Sequence, residues 1–320
     1  MTDDLGRVPD RRATGPIAAD AAGLRRRSFL AAGAAAAVFA GSRSSPAQDR
    51  PPDPSGPTAM PDTVRIERLD GAILLIGIDL PDPQRRLDAA TFIGLGRAYH
   101  LLDHDPALRV GILHAQGSDF ATGLEPASWA PFLRAGRFDP GTRDFVNPVG
   151  TVPPRRDKPL VVAVQGRTQF AGHELFLAAD VRVAASDAVF GQGEVTRGHF
   201  PAGGATVRFV REAGWGNAMR WMLTGEEWSA DDAYRLGLVQ EVTPPGQQLD
   251  RAIAVARGIA AAAPLGIRAT LGSAHRALRD GEDAAFAALF AELGRLAQSD
   301  DHREYFRALQ EQRAPAFRGR

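Results

Sequence analysis

The sequence has no cysteine and only one lysine among its 320 residues. Without cysteine, neither a disulfide framework nor a thiolate nucleophile is available. Imine chemistry would depend on Lys158 alone, which stands in DKPL at the start of a predicted strand, and we interpret it as a solvated lysine at a strand edge. The chain also lacks an excess of charge, with 38 basic and 38 acidic residues, so its charge does not indicate a nucleic-acid partner.

Several common enzyme motifs are missing as well. His173-Glu174 could begin the zinc-binding HExxH helix, but Leu177 occupies the position of the second histidine, so we predict no metal site. GLGRAY and GQGEVT lack the third glycine of the dinucleotide fingerprint. The G-x-S-x-G elbow and the phosphate-binding P-loop are absent. These absences argue against zinc hydrolases, nucleotide-dependent enzymes and serine esterases.

The first 47 residues have the layout of a signal peptide. Arg26 and Arg27 precede Ser-Phe-Leu, an Ala-rich apolar run continues to Gly41, and residues 45–47 (Ser-Pro-Ala) supply a cleavage site. The paired arginines resemble the twin-arginine type, which predicts export to the periplasm. The apolar run is shorter than the roughly 20 residues of a stable membrane span. Translation from Met60 would instead give a cytoplasmic product.

By composition and periodicity, the remaining chain divides into a linker, a mixed region and a helical C-terminal region. Residues 48–62 are rich in proline and predict a linker. In residues 63–245, apolar strand patterns alternate with helical ones, beginning with a hairpin across Asp70-Gly71, and this alternation predicts α/β layering with largely parallel pairing. Residues 126–157 show no periodicity and are interpreted as a long surface excursion. Residues 246–320 have helical spacing throughout.

Two carboxylates stand near two potential sources of backbone N–H donors. Glu174 lies in the first turn of a predicted helix, and Glu194 follows 20 residues later, after one strand-and-turn excursion. The turn at residues 120–125 and the helix start at residues 170–173 could both present unpaired amides. Two donors and two carboxylates can stabilise an enolate while protons move nearby. On spacing alone, however, Glu174 is more simply a first-turn acid favoured by the helix dipole.

Several blocks of the sequence resemble the crotonase superfamily, in its enoyl-CoA hydratase/isomerase branch. LLDHDPALRVGILHAQGSDFATGLE, KPLVVAVQG, GHELFLAADVRVAASDAVFGQGE, FPAGGATVRF and LTGEEWSADDAYRLGLVQEV follow one another in the family's order, from about Val64 to Phe317. The resemblance implies an α/β crotonase spiral of ββα units with a C-terminal helical region that packs trimers. It also implies a homotrimer or a dimer of trimers, an enoyl-CoA-type substrate and no cofactor.

Carried over residue by residue, the resemblance gives Glu174 and Glu194 the positions of the paired catalytic glutamates of family hydratases. The oxyanion-hole amides would belong to Leu124 and Ala171. The reaction implied is addition of water across the 2,3-double bond of an enoyl thioester. The alternatives are another reaction on the same fold, such as double-bond isomerisation or C–C bond hydrolysis, and a non-catalytic exported binding protein.

The sequence departs from the family pattern beside these residues. Phe170 replaces a glycine before the helix, and His173 adds a titratable group next to Glu174, so both are candidate pocket residues. His173 could equally be an ordinary histidine on the helix surface. Gln312 stands where relatives offer a lysine to the CoA phosphates. Arg85 and Arg86, near the family's CoA-binding first turn, are candidate phosphate partners in its place.

Overall fold

The computed structural model describes residues 59–320. The predicted signal peptide, residues 1–47, and most of the predicted linker lie outside the described residues. The described strands are β1 (Val64–Leu69), β2 (Ile73–Ile78), β3 (Val110–Ala115), β4 (Leu160–Val164), β5 (Arg167–Gln169), β6 (Val181–Ala185), β7 (Val189–Gly191), β8 (Glu227–Ser229) and β9 (Glu241–Thr243).

The helices fall between these strands and then fill the C-terminal quarter. They are α1 (Ala89–His104), α2 (Pro126–Ala135), α3 (Ala171–Leu177), α4 (Ala205–Ala213), α5 (Trp215–Thr224), α6 (Ala230–Arg235), α7 (Gln248–Ala261), α8 (Pro264–Asp280), α9 (Glu282–Ala297) and α10 (Asp300–Gln310). A 3₁₀ turn, Glu194–Arg197, follows β7.

Two sheets form the framework. The larger has six strands in the order β1-β2-β3-β4-β6-β9; β1 and β2 pair antiparallel as the predicted hairpin, and the other neighbours are parallel. The smaller sheet, in the order β5-β7-β8, carries the strands that lead into α3 and into the 3₁₀ turn. The predicted α/β layering with largely parallel pairing is confirmed.

Local signals in the sequence cap the N-terminal ends of two helices. The Asp88 carboxylate accepts from the N–H of Thr91 at 2.6 Å and caps α1. Ser229 and Asp232 form a capping box at the start of α6.

The interpretation of Lys158 as a solvated lysine is wrong. The residue is 7% exposed, and its Nζ donates to the carbonyls of Leu102 and Asp105 at 2.8 and 2.7 Å. These carbonyls lie at the C-terminal end of α1, where the helix leaves acceptors unpaired and the dipole favours a cation. The only lysine of the chain therefore caps a helix.

The segment at residues 126–157 is not only a surface excursion. It begins with α2, and four of its aromatic side chains pack on one another and on Phe92 of α1; they are Trp129, Phe132, Phe138 and Phe145. The sequence pattern did not reveal this cluster because its aromatic residues are separated by proline, glycine and arginine. The segment therefore contributes to the core.

Helix α7 packs on the larger sheet. Ala252 and Ala256 of α7 are fully buried against the face of the sheet that carries Val110, Ile112 and Val161. Small side chains allow this helix to approach the sheet closely. Helices α8 to α10 follow as the C-terminal helical region.

Within residues 59–320 no single helix is long and apolar enough to cross a membrane, although α7 and α8, bent by 105°, meet that test as a pair.

Candidate active site

The start of α3 offers backbone N–H groups. Strand β5 ends at Gln169, and α3 begins at Ala171 with Phe170 as its N-cap residue. No side chain caps this end, and the first N–H groups of a helix have no acceptor within the helix. Within residues 59–320, the N–H of Ala171 donates to no acceptor. It is therefore free to bind an anion.

A second free N–H comes from residues 120–125, because of how they pair with Leu87. The N–H of Leu87 donates to the carbonyl of Gly123 at 2.7 Å, and the carbonyl of Leu87 accepts from the N–H of Glu125 at 2.9 Å. In such a parallel bridge the N–H of the middle residue, Leu124, points to the other side. Among the described residues it has no acceptor. The indole N–H of Trp129 also donates to the Leu87 carbonyl, at 2.9 Å.

The two donor segments lie side by side. The carbonyl of Ala121 accepts from the N–H of Gln169 at 2.9 Å, and a Cβ on Gly172 would lie 2.3 Å from that carbonyl oxygen. Only glycine permits this approach of α3 to the strand-like segment, since a side chain would overlap its backbone. The site for a Cβ on Gly123 is in turn 3.4 Å from Cβ of Phe170. The segments that carry Leu124 and Ala171 are thus adjacent.

Glu174 is almost completely buried one turn into α3. Its Oε1 accepts from the N–H of Ala205, at the start of α4, at 3.2 Å. Burial raises the pKa of this carboxyl to about 7; the N–H of Ala205 opposes the rise, and the nearby negative charge of Glu194 adds to it. A carboxyl with such a pKa can both give and take a proton near neutral pH.

Glu194 opens the 3₁₀ turn that follows β7 and is half-buried. Its Oε1 accepts from Nε2 of Gln192 at 2.7 Å, whereas its Oε2 is buried without a hydrogen-bond partner. Burial raises the pKa of Glu194 as well, and the Gln192 amide and the positive charge of Arg197 act in the opposite direction. Because the charge of each glutamate affects the other, the two titrate as a coupled pair.

His173 does not lie on the helix surface. It is fully buried, its Nδ1 lies 2.5 Å from Oε1 of Gln192, and its Nε2 has no partner. Burial lowers its pKa to about 3, although the hydrogen bond to Gln192 acts in the opposite direction, so the ring is neutral at neutral pH. The interpretation as a surface histidine is therefore wrong, because aromatic side chains enclose this face of α3.

Phe170 stands at the edge of the donor pair in a strained conformation. Its φ of 52° with ψ of −121° belongs to a region that glycine occupies readily and bulky residues rarely do. Its ring packs beside Gly123, and the guanidinium of Arg197 lies over it, 4.0 Å from the ring centroid. The contact of Phe170 with Arg197 therefore joins the start of α3 to the turn that carries Glu194.

The two arginines predicted to meet CoA phosphates are bound within the protein. Arg85 donates to the carbonyls of Leu80, Gln116 and Asp119, and its side chain is 14% exposed. This places Arg85 in the loop framework rather than toward solvent. Arg86 forms an ion pair with Asp82 at 2.5 Å, and its side chain is 30% exposed. Contact of either residue with CoA stays a prediction.

Three residues near the glutamates were not assigned a role from the sequence. They are Gln192 and Arg197, which flank Glu194, and Ala205, which binds Glu174. Gln192 could have been noticed because it stands two residues before Glu194 in GQGE, where a strand turns. The Ala205 contact joins α3 to α4 and has no signal in the sequence.

Within residues 59–320, no group of three or more histidine, aspartate or glutamate residues could hold a metal ion.

A large cavity of the described chain lies elsewhere. It has a volume of about 1990 Å³ and lies between α4 and the α8–α9 pair. Neither glutamate lines it, although Gly204 and Pro201, from the segment before α4, do. The groups that carry chemistry are instead concentrated around the starts of α3, α4 and the 3₁₀ turn.

Comparison with known proteins defines the class. Residues 68–320 match the enoyl-CoA hydratase/isomerase family. The enoyl-CoA hydratase EchA19 of Mycobacterium tuberculosis is 32% identical over 272 residues, covering 83% of this chain and 98% of that protein. The (E)-benzylidenesuccinyl-CoA hydratase of Thauera aromatica is 31% identical over 272 residues, covering 81% and 100%. The solved structure of a probable enoyl-CoA hydratase/isomerase from Mycobacterium abscessus has a TM-score of 0.78 and 41% identity, covering 81% of this chain and 99% of that one.

The chain therefore belongs to the enoyl-CoA hydratase/isomerase family, and the predicted crotonase fold is confirmed.

Proposed function

We propose that this protein adds water across the 2,3-double bond of an enoyl-CoA thioester, with Glu174 and Glu194 as the catalytic pair. One observation carries the proposal: two glutamates with raised pKa values lie beside two adjacent segments that each present a free backbone N–H. The similarity to enoyl-CoA hydratases supports the substrate class.

The free N–H groups of Leu124 and Ala171 would hold the thioester oxygen. As the water oxygen bonds to C3, one glutamate takes a proton from the water, and the electron pair of the double bond moves to the thioester as an enolate. The two amides stabilise the negative oxygen, an effect for which loss of one donor typically costs about 10²–10³ in rate. The enolate then collapses as C2 takes a proton from the other glutamate, so atoms and charge balance and no cofactor is needed.

The direct test is loss of the conjugated double bond when the purified protein is given crotonyl-CoA. We expect hydration by the wild type and a decrease of at least about 10³ in kcat in both Glu174→Gln and Glu194→Gln, because each amide keeps the shape but cannot transfer the proton. Unfolding temperatures close to that of the wild type would show that the fold is kept. Equal turnover by both variants and the wild type would contradict the mechanism.

The same protein, assayed with other substrates, separates the alternatives. Conversion of a 3-enoyl thioester without net hydration would favour isomerisation, and cleavage of a β-diketone would favour C–C hydrolysis. The altered shape around Phe170 and Leu124 is the reason to include both substrates. Binding of the thioester without any turnover would favour an exported binding protein.

We further propose that the C-terminal helices α8 to α10 join copies of this chain into a trimer or a dimer of trimers. The observation behind this is a set of large apolar side chains left exposed on α8 and α9, of which Phe290 is the extreme at 85%; the others are Leu278, Phe286, Leu289 and Leu293. Sedimentation of the full chain tests it, and a monomer at micromolar concentration would exclude it.

We also propose that residues 1–47 export the folded protein to the periplasm by the twin-arginine route. The paired arginines, the Ala-rich run and the cleavage site in order support this. Mass spectrometry of the N-terminus after cell fractionation is the measurement. A periplasmic product that begins after Ala47 is expected, and a cytoplasmic product beginning at Met60 would overturn the proposal.

A further inference from the structure

His173, Gln192 and Glu194 form a hydrogen-bonded row. The proposed hydration mechanism gives a role to Glu194 but none to His173 or Gln192. Nδ1 of His173 lies 2.5 Å from Oε1 of Gln192, and Nε2 of Gln192 lies 2.7 Å from Oε1 of Glu194. His173 and Gln192 are both fully buried. The row therefore connects the interior of α3 to a catalytic carboxylate on a different element.

The chemistry of the three groups decides which atom donates. An ionised carboxylate can only accept hydrogen bonds, so the NH₂ group of Gln192 must face Glu194. The amide oxygen of Gln192 then faces His173 and needs a donor, which the ring supplies when its proton is on Nδ1. In the opposite amide orientation, the oxygen of Gln192 would face the negative charge of Glu194. The observed orientation is thus the one that suits an ionised Glu194.

The surroundings of His173 keep the ring in one state. Four aromatic rings enclose it with centroids 5.1 to 6.0 Å away; they are Phe176, Phe190, Phe209 and Trp228. Such a site disfavours a charged imidazole, in keeping with the pKa of about 3. Within it, Gln192 supplies the only hydrogen bond that the His173 ring makes among the described residues.

We propose that His173 is a positioning residue that fixes the amide orientation of Gln192, ties Oε1 of Glu194, and so leaves Oε2 of Glu194 as the oxygen that exchanges the proton. The proposal rests on the proposed function of Glu194. It agrees with the arrangement of that carboxylate, whose Oε2 is without a partner. His173 itself does not touch substrate in this scheme, because Gln192 stands between it and the reacting carboxylate.

Other charged groups near Glu194 cannot take over this role. Glu174 faces it from α3, and Arg197 and His199 follow it along the chain. On α5, which packs against the 3₁₀ turn, Arg220 is paired with Glu226 at 2.9 Å. Among residues 59–320, none of these donates a hydrogen bond to the side chain of Glu194, whereas Nε2 of Gln192 does.

The test compares two variants of equal shape. Asparagine places its side-chain NH₂ close to where Nδ1 of histidine lies, and leucine has nearly the same shape without any donor. His173→Asn and His173→Leu therefore open the same space in the aromatic site and differ in the hydrogen bond to Gln192. The Asn variant buries one more unpaired polar atom and should lose more thermal stability, so a shift of the pH profile confined to the Leu variant reports positioning rather than packing.

For the full-length wild type and His173→Asn, we expect the same acid limb in the pH profile of kcat/KM for crotonyl-CoA hydration. In His173→Leu this limb should move upward by about one pH unit, because the amide oxygen of Gln192 then has no donor. Apart from Glu194 itself, only the long contact of Nε2 with the carbonyl oxygen of Phe170, at 3.5 Å, would oppose rotation of the amide. Gln192→Leu should shift the limb to the same extent, and the double variant no further. Identical pH profiles for the Asn and Leu variants would overturn the proposal.

A second readout does not need turnover. The pKa of the Glu194 carboxyl can be followed by ¹³C NMR, with the resonance assigned by its loss in Glu194→Gln. An upward shift in His173→Leu but not in His173→Asn supports positioning, and no difference refutes it. If the wild type fails to hydrate the thioester, the proposed function fails, and this titration still decides whether His173 sets the state of Glu194.

Discussion

Glu174 and Glu194 are the same residue type at one site, yet the structure holds them in different ways. Glu174 is 5% exposed on a helix, and a backbone N–H from the start of α4 binds it. Glu194 is half-buried on a 3₁₀ turn, and a side-chain amide binds it. A backbone donor is fixed by the fold, whereas a side-chain donor depends on its own partners. The fold therefore fixes the position of the Glu174 carboxylate, whereas a row of side chains fixes that of Glu194.

Displacing Glu174 should have the largest effect. A Cβ on Gly203 would lie 2.4 Å from Oε2 of Glu174, so Gly203→Ala must push the carboxylate away from the N–H of Ala205. Misplacement of a catalytic group by about 1 Å can cost about 10²-fold, and we expect a decrease of that order in kcat for crotonyl-CoA. Steady-state kinetics measure it.

The matched control is Gly216→Ala in α5, where a Cβ would meet nothing within 4 Å. This variant should keep full activity and gain slightly in stability, since alanine is the better helix former. If Gly203→Ala retained wild-type kcat, the position of Glu174 would not matter for the chemistry.

The next effect in size is on stability, and it depends on pH. With a folded pKa of about 7 against a reference value of 4.5, ionised Glu174 destabilises the folded state progressively as pH rises from about 4.5 to 7. Glu174→Gln removes this cost, so its advantage over the wild type should grow by roughly 2–3 kcal/mol between pH 4.5 and pH 8.

Urea unfolding at several pH values measures this difference. Glu194→Gln should show a change in the same direction but smaller, because Glu194 is less buried and its carboxylate is bound by Gln192. An advantage of Glu174→Gln that stayed constant from pH 4.5 to pH 8 would mean that Glu174 ionises normally in the folded protein.

The smallest effect concerns the cation near Glu194. The positive charge of Arg197 lowers the pKa of Glu194, so Arg197→Ala should move the acid limb of the kcat/KM profile upward by a few tenths of a pH unit. It should also weaken the packing of Phe170 by about 0.5 kcal/mol, as expected for an exposed cation–π contact.

Arg220→Ala is the control for that change. Arg220 also lies over an aromatic ring, that of Trp221 at 3.9 Å, but its charge is paired with Glu226. This variant should lose similar packing energy and leave the pH profile in place. A shift of the same size in both variants would show that the effect is not local.

Much of the fold was predictable because its signals are local. The hairpin at Asp70-Gly71, the cap at Asp88 and the capping box at Ser229 each depend on a few neighbouring residues. The predictions that were wrong concerned distant contacts. Lys158 caps a helix that ends more than 50 residues earlier in the chain, and the aromatic residues of the segment at 126–157 pack on a helix that precedes it.

For this protein, the sequence by itself determined the family and the alternation of strands and helices outside residues 126–157. Those properties follow from hydrophobic periodicity and short motifs, which act over a few residues. Only the tertiary structure decided that His173 is buried and neutral, that Gln192 connects it to Glu194, and that Phe170 is strained beside the donor pair. Burial and hydrogen bonding join residues from separate elements, and a pKa depends on that assembled environment rather than on neighbours along the chain.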